Sequence, residues 1–281
     1  MQLDQTITPP TRYSDFVAHH APRQRLRERL RNSAVLALSV GRSISRTGGW
    51  VRFPYYHHVF DDERAGFARQ LDYLSRFGEF ISISDAVALL ESGETIDGRY
   101  FCITFDDGFL NNLINAVPIL VDKKVPAAFF LATDYIGLKT DVDRDRLLDF
   151  YDHGRVLMEF LNWDDCRKMI NAGMEVGSHT TCHARMSGLD KEAAMNELKN
   201  SKRKIEQELG RACEHFCSPF GIPGFDFIPG RDPGLAADAG YRSMLTTERG
   251  SMGAGDNPFR IRRDHMLANW GNHQLRYFLS L

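Results

Sequence analysis

Asp106 and Asp107 stand side by side in the stretch CITFDDGF, residues 102–109. Adjacent carboxylates repel each other, and the apolar run before them places both at the end of a largely buried strand. Something must neutralise them. A second stretch, GSHTTCH (177–183), sets His179 and His183 at i and i+4. In a helix or tight turn that spacing brings two imidazoles to one side, their Cβ atoms about 5–6 Å apart. Two histidines and one carboxylate make a catalytic metal site with three protein ligands and an open position for water. One aspartate then binds the metal. The other stays free beside a metal-bound water whose pKa falls towards neutrality, and acts as general base. Such a set hydrolyses a carbonyl substrate. The same two-histidine, one-carboxylate set suits a non-haem Fe(II) oxygenase, but that chemistry has no use for the adjacent free carboxylate. A third reading is a binding protein that keeps the fold without the catalysis.

The elements that must position these residues alternate from Val51 onward. Strand-like runs lie at 51–57, 100–105, 127–132 and 174–178, with two more in HFCSPFG (215–221) and YRSMLTT (241–247). Between them run helical patterns: Phe67, Leu71, Leu74 and Phe77; Leu113, Val117, Leu120 and Val121; 163–173 with Asn162 as N-cap and Gly173 at its end; and a charged helix over 190–209 ending at Gly210. Strands alternating with helices imply an α/β fold with a parallel sheet, open or closed into a barrel. Ligands then gather at the C-terminal ends of the strands, where both motifs fall.

The chain has 281 residues and a net charge of −2, which gives no whole-chain case for a nucleic-acid partner. Its five cysteines form no paired CxxC spacing, which argues against a disulfide framework and suits a reducing compartment. The first residues show neither a basic n-region nor an apolar h-region, so the expected location is the cytoplasm. Residues 1–49 read as an N-terminal extension and 50–281 as the catalytic domain. Within the extension, arginines at 23, 25, 27, 29 and 31 alternate through PRQRLRERLRNS, with Leu26 and Leu30 one turn apart. This predicts a basic amphipathic helix over 22–41, packed on the main domain or in peripheral contact with an anionic membrane.

Taken in order, YYHHV with Asp61 and Asp62, FISISDAVALLESG, TFDDGF, AAFFLATDYIG, GMEVGSHTTCH, CSPFG, AGYRSMLTTERG and NPFRIRR resemble the polysaccharide deacetylase family (NodB homology domain, carbohydrate esterase family 4) over roughly residues 50–265. The resemblance implies a distorted (β/α) barrel with fewer than eight complete units. It implies Asp106 as general base and Asp107, His179 and His183 as ligands to a divalent metal, zinc above all. The implied reaction removes acetyl groups from an N-acetylated oligosaccharide, polysaccharide or lipid-linked sugar, as in the making of a surface polysaccharide. His57, Pro219 and Phe220 match positions near the substrate. One departure stands out: the family's Arg-x-Pro-Tyr/Phe-Gly motif has Cys217 in place of its base-orienting arginine. A thiol cannot replace a charged fork of donors, and Arg263 is the candidate substitute. For the family's general-acid histidine the stretch RDHMLANWGNH offers His265 and His273; His265 is preferred because it directly follows the matched segment, with Asp264 as its orienter.

Overall fold

The strand expected over 51–57 divides at Phe53 into β1 (Trp50–Arg52) and β2 (Pro54–Tyr56). The computed structural model describes residues 7–19, 31–45, 47–151 and 156–280. After β3 (Glu79–Phe80), the run 100–105 divides in the same way at Cys102, into β4 (Arg99–Phe101) and β5 (Ile103–Phe105). Both breaks have one cause: each chain leaves one sheet and enters another. β1, β4 and β3 form a three-stranded sheet in the order β1-β4-β3, while β2 and β5 pair with each other in a seven-stranded sheet. Pro54, which has no N–H to give a ladder, sits at the first position of its strand.

The larger sheet continues with β6 (Ala127–Leu131), β7 (Glu175–Ser178), β8 (His215–Cys217), β9 (Ser243–Leu245) and β10 (Asp264–His265). Its order is β10-β2-β5-β6-β7-β8-β9, and every pairing is parallel. One segment links its two ends. The Thr246 N–H donates to the Ile261 carbonyl at 2.9 Å, and a few residues later the Asp264 N–H donates to the Phe53 carbonyl at 2.9 Å. The sheet is thus curled into a partial barrel, the α/β fold expected.

Alternation along the strands separates inside from outside. On β6, Phe129 and Leu131 face the surrounding helices, while Ala128 and Phe130 face a second core inside the curl with Cys217, Leu245 and Ile261. Outside, Phe105 and Phe129 stack with centroids 4.7 Å apart, against Phe67 and Leu71 of the helix Arg64–Leu74. Burying each such side chain contributes roughly 1.5–3 kcal/mol. Phe77 packs on this core from beyond that helix's end. Val121, expected in the apolar stripe, is instead exposed: residues 112–116 form a π turn, which advances the face presented by the following helix Val117–Asp122. The other helices match expectation. Asn162 caps Trp163–Asn171 through its side chain, and Lys191–Leu209 ends at Gly210 in a left-handed conformation.

Of the basic helix expected over 22–41, residues 22–30 lie outside those described; residues 31–38 are helical, and Gly41 follows at φ 76°. Among the described residues, no helix is long and apolar enough to cross a membrane.

Candidate active site

Asp106 follows β5 directly, and the next two residues turn sharply, with Asp107 at φ 76° and Gly108 at φ 86°. A Cβ on Gly108 would meet the side chains of Ile136 and Leu131 at 2.9–3.0 Å, so the turn needs glycine. Its consequence is chemical. The turn sends two neighbouring carboxylates to different partners.

Asp106 points to Arg263. Nη1 donates to Oδ1 and Nη2 to Oδ2, both at 2.8 Å. The guanidinium is wholly buried. Its Nε donates to the Thr246 carbonyl at 2.8 Å, and its plane lies over the Tyr55 ring, 4.1 Å from the centroid. Burial alone pushes the Asp106 carboxyl up. The Arg263 charge, His179 and the hydrogen bonds outweigh it and hold the group below its ordinary value.

Asp107 points to the histidines. Its Oδ1 lies 3.4 Å from His179 Nε2 and 3.3 Å from His183 Nε2. His179 directly follows β7, and positive φ at Thr180 and His183 curls the loop so that both imidazoles return to one side. The His179 Nδ1–H donates to the Cys217 carbonyl at 2.8 Å. That bond makes Nδ1 the donor and leaves Nε2 as the ring atom facing Asp107. Asp107 Oδ1 is buried without a hydrogen-bond partner. Burial is the main force on His183 and holds it down at about 4, so its ring is neutral and free to ligate. A buried, unpartnered carboxylate oxygen beside two imidazole nitrogens is a donor set that fits a divalent cation. The ligand atoms of Asp107, His179 and His183 lie within 4.8 Å of one another. Asp106, His179 and Cys217 also cluster, but the nitrogen of His179 nearest Cys217 is spent on the carbonyl.

A cavity of about 430 Å³ opens over these groups. His57, Phe220 and His265 line it, and Phe220 packs on the His183 ring at 4.7 Å. Pro219 is buried behind the lining and does not reach it. His265 lies 5.6 Å from His57, ring to ring. Burial, then the charges of His57, Arg249 and Arg263, hold its imidazole down at about 3, so it stands neutral.

The expected pairing of Asp264 with His265 is corrected. Asp264 is fully buried and accepts from Arg52 Nη1 at 2.9 Å. The two residues are neighbours on β10, and successive side chains on a strand point to opposite faces. By the same rule Arg263 and His265, two apart, share the face that looks into the site. Sequence reasoning missed Tyr55, Phe150, Tyr151, Arg185 and Phe225, all of which line the cavity. Tyr55 had a signal, since it lies two residues before His57 on one strand face. Phe150 and Tyr151 had none.

Comparison with known proteins identifies the family. Residues 93–241, just over half the chain, match the family model described as polysaccharide deacetylase. The chain is similar to YxkH of Bacillus subtilis (strain 168), named as a polysaccharide deacetylase, at 22% identity over 179 residues. That match covers 64% of this chain and spans 56% of the length of the curated relative. The fold is similar to that of IcaB from Ammonifex degensii, with a TM-score of 0.67, 22% identity, and 84% of this chain and 100% of that one covered. It is also similar to the Streptococcus pyogenes deacetylase PplD in complex with acetate, with a TM-score of 0.66, 20% identity, and 83% and 99% covered. The chain belongs to the polysaccharide deacetylase family.

Proposed function

We propose that this chain removes the acetyl group from an N-acetylated sugar, in a polysaccharide or a glycolipid, by metal-dependent hydrolysis during the making of a surface polysaccharide. One observation carries the reading: a carboxylate clamped by arginine, Asp106, stands beside a separate Asp–His–His ligand set in one cavity. Asp107, His179 and His183 would hold a divalent metal, zinc by ligand type. When bound, that metal supplies Lewis-acid polarisation and lowers the pKa of water. Asp106, kept ionised, takes the proton from the attacking water at the carboxylate oxygen. Arg263 fixes the orientation of that carboxylate and leaves the metal ligands untouched. His265, which also lines the cavity, takes up the proton that Asp106 has removed from water and passes it to the departing nitrogen. Phe220 and His57 flank the sugar.

The clamped Asp106 weighs against the oxygenase reading, and the intact set of four weighs against a binding relative without catalysis. Acetate release from a panel of N-acetylated oligosaccharides and lipid-linked sugars, with and without added divalent metal, tests the reading. No release from any member with metal present would overturn it. Four of the five free cysteines are buried thiols, which supports a reducing, cytoplasmic setting.

The gap at Cys217 yields a paired expectation. Arg263→Ala should lower turnover with metal content intact. Removing the cation raises the Asp106 pKa, so the acidic limb of the pH–rate profile should move to higher pH. Cys217→Ala should cost little. The thiol reaches Asp106 only at 3.6 Å, and the carbonyl that orients His179 belongs to the backbone, which alanine keeps. A silent Arg263→Ala with a crippled Cys217→Ala would reverse the assignment.

Contact of residues 22–41 with an anionic membrane belongs to the same proposal. It is supported by Leu36, Leu38 and Val40, exposed at the described end of that run. The protein should sediment with phosphatidylserine vesicles at low salt and be released at high salt. Failure to sediment with the anionic vesicles at low salt would remove the membrane from the account.

A further inference from the structure

A second pocket, of about 240 Å³, lies against the catalytic cavity and shares His57, Tyr151 and His265 with it. None of the proposed catalytic steps uses it. Its inner wall includes Phe60, Leu267 and Ala268, and its outer wall is Tyr13 and Phe16 of the N-terminal segment. That segment is fastened in place. The Asp61 N–H donates to the Thr11 carbonyl at 2.9 Å, and the Tyr13 N–H donates to Asp62 Oδ1 at 2.8 Å. Arg144 Nη2 donates to the Ile7 carbonyl at 2.6 Å. Phe16 rests on His58 and Phe60, with centroids 5.1 and 5.3 Å away.

Away from the shared His57 and His265, the polar groups His58, Tyr151 and Glu63 of this lining are already hydrogen-bonded. Asn111 Nδ2 donates to His58 Nδ1 at 3.2 Å, which leaves the Nε2–H of His58 to donate to the Tyr151 hydroxyl at 2.8 Å. The Glu63 carboxylate accepts from the Phe60 N–H at 3.1 Å. With those groups occupied, the pocket favours a guest that brings buried hydrocarbon and asks for few hydrogen bonds. Its shared wall with the catalytic cavity means that one molecule can occupy both.

We propose that this pocket receives a hydrocarbon chain carried by the substrate beside its scissile amide, and that the N-terminal segment is the pocket's outer wall. This rests on the deacetylase reading above. Two sources share that chemistry: an alkyl aglycone on the sugar, or an N-acyl group longer than acetyl.

The test uses the full zinc-loaded chain and two substrate series. One varies the aglycone of an N-acetylglucosaminide from methyl to butyl to octyl; the other varies the N-acyl group of methyl glucosaminide from acetyl to butanoyl to hexanoyl. In the series whose chain enters the pocket, kcat/KM should rise about fourfold per buried methylene, the equivalent of about 0.8 kcal/mol. Phe16→Ala, which removes the outer wall, and Leu267→Trp, which fills the pocket from the barrel side, should each bring the long-to-short ratio close to one. A gain in the first series identifies the aglycone, and a gain in the second the acyl group. Turnover of the methyl N-acetyl substrate with no gain in either series, or a gain that both variants keep, overturns the proposal and leaves the deacetylase reading intact. If no sugar is turned over, that reading fails and calorimetry decides the pocket. Octyl glucoside below its micelle concentration should then bind more tightly than methyl glucoside, and the difference should vanish in both variants. Equal binding of the two glucosides overturns the proposal.

Discussion

His179→Ala is expected to remove metal binding and deacetylation together. Three protein ligands leave no redundancy in a site of this kind. The imidazole is also the most firmly placed of the three. It is 2% exposed, and its Nδ1–H is tied to the Cys217 carbonyl, so loss of the ring leaves Asp107 with one imidazole and a buried, under-partnered oxygen. Elemental analysis after dialysis should find the variant empty. A thermal readout checks the same point without any substrate. Metal binds only the folded wild type, so excess metal at 100 times Kd should stabilise it by about 2.7 kcal/mol, and the variant should show no such shift. Full metal occupancy in the variant would discard the ligand assignment.

What the sequence made legible here is mostly what is local. Asp106 with Asp107, and His179 with His183, could be read because each pair is set within a few residues by a strand end and the turn after it. Their division between two partners could not be derived from spacing. It depends on the left-handed backbone of Asp107, which reverses the alternation that strand residues otherwise follow. Alternation was also the rule that the expected Asp264–His265 pair broke. Applied to RRDH (262–265), it puts Arg263 and His265 on one face and Asp264 on the other, where it meets Arg52. The contact of Arg263 with Asp106 spans 157 residues and rests on curling of the sheet, which no local pattern reports. The split strands at Phe53 and Cys102 were hidden for a similar reason. Every position along them is buried or half-buried on both faces, so the change of sheet leaves no mark on the polarity pattern. β3 and β10, two residues each, are too short to show a period. Phe150 and Tyr151 reach the cavity from a loop whose course is set by tertiary packing alone.

Asp106→Asn is expected to lower turnover by about 10²–10⁴-fold with metal content unchanged, because an amide cannot take the proton from water. The substitution is nearly isosteric, but the structure adds a cost that shape alone conceals. In the wild type the two carboxylate oxygens each accept from one Arg263 nitrogen. Asparagine turns one acceptor into a donor facing Nη2 and leaves a fully buried guanidinium without its counter-charge. Breaking a buried pair in this way costs about 3–5 kcal/mol, so the variant should also unfold earlier, and a fall in rate alone would not separate chemistry from stability. Adding Arg263→Met does separate them. Methionine removes the unpaired charge and fills much of its volume, so the double variant should regain stability relative to Asp106→Asn. Its turnover should stay at the low level of the single variant, since no carboxylate has been restored. Denaturant midpoints and acetate release, measured on the same metal-loaded samples, give both answers. If the double variant recovered turnover along with stability, Asp106 would be a structural partner of Arg263 and the catalytic base would have to be sought elsewhere in the cavity.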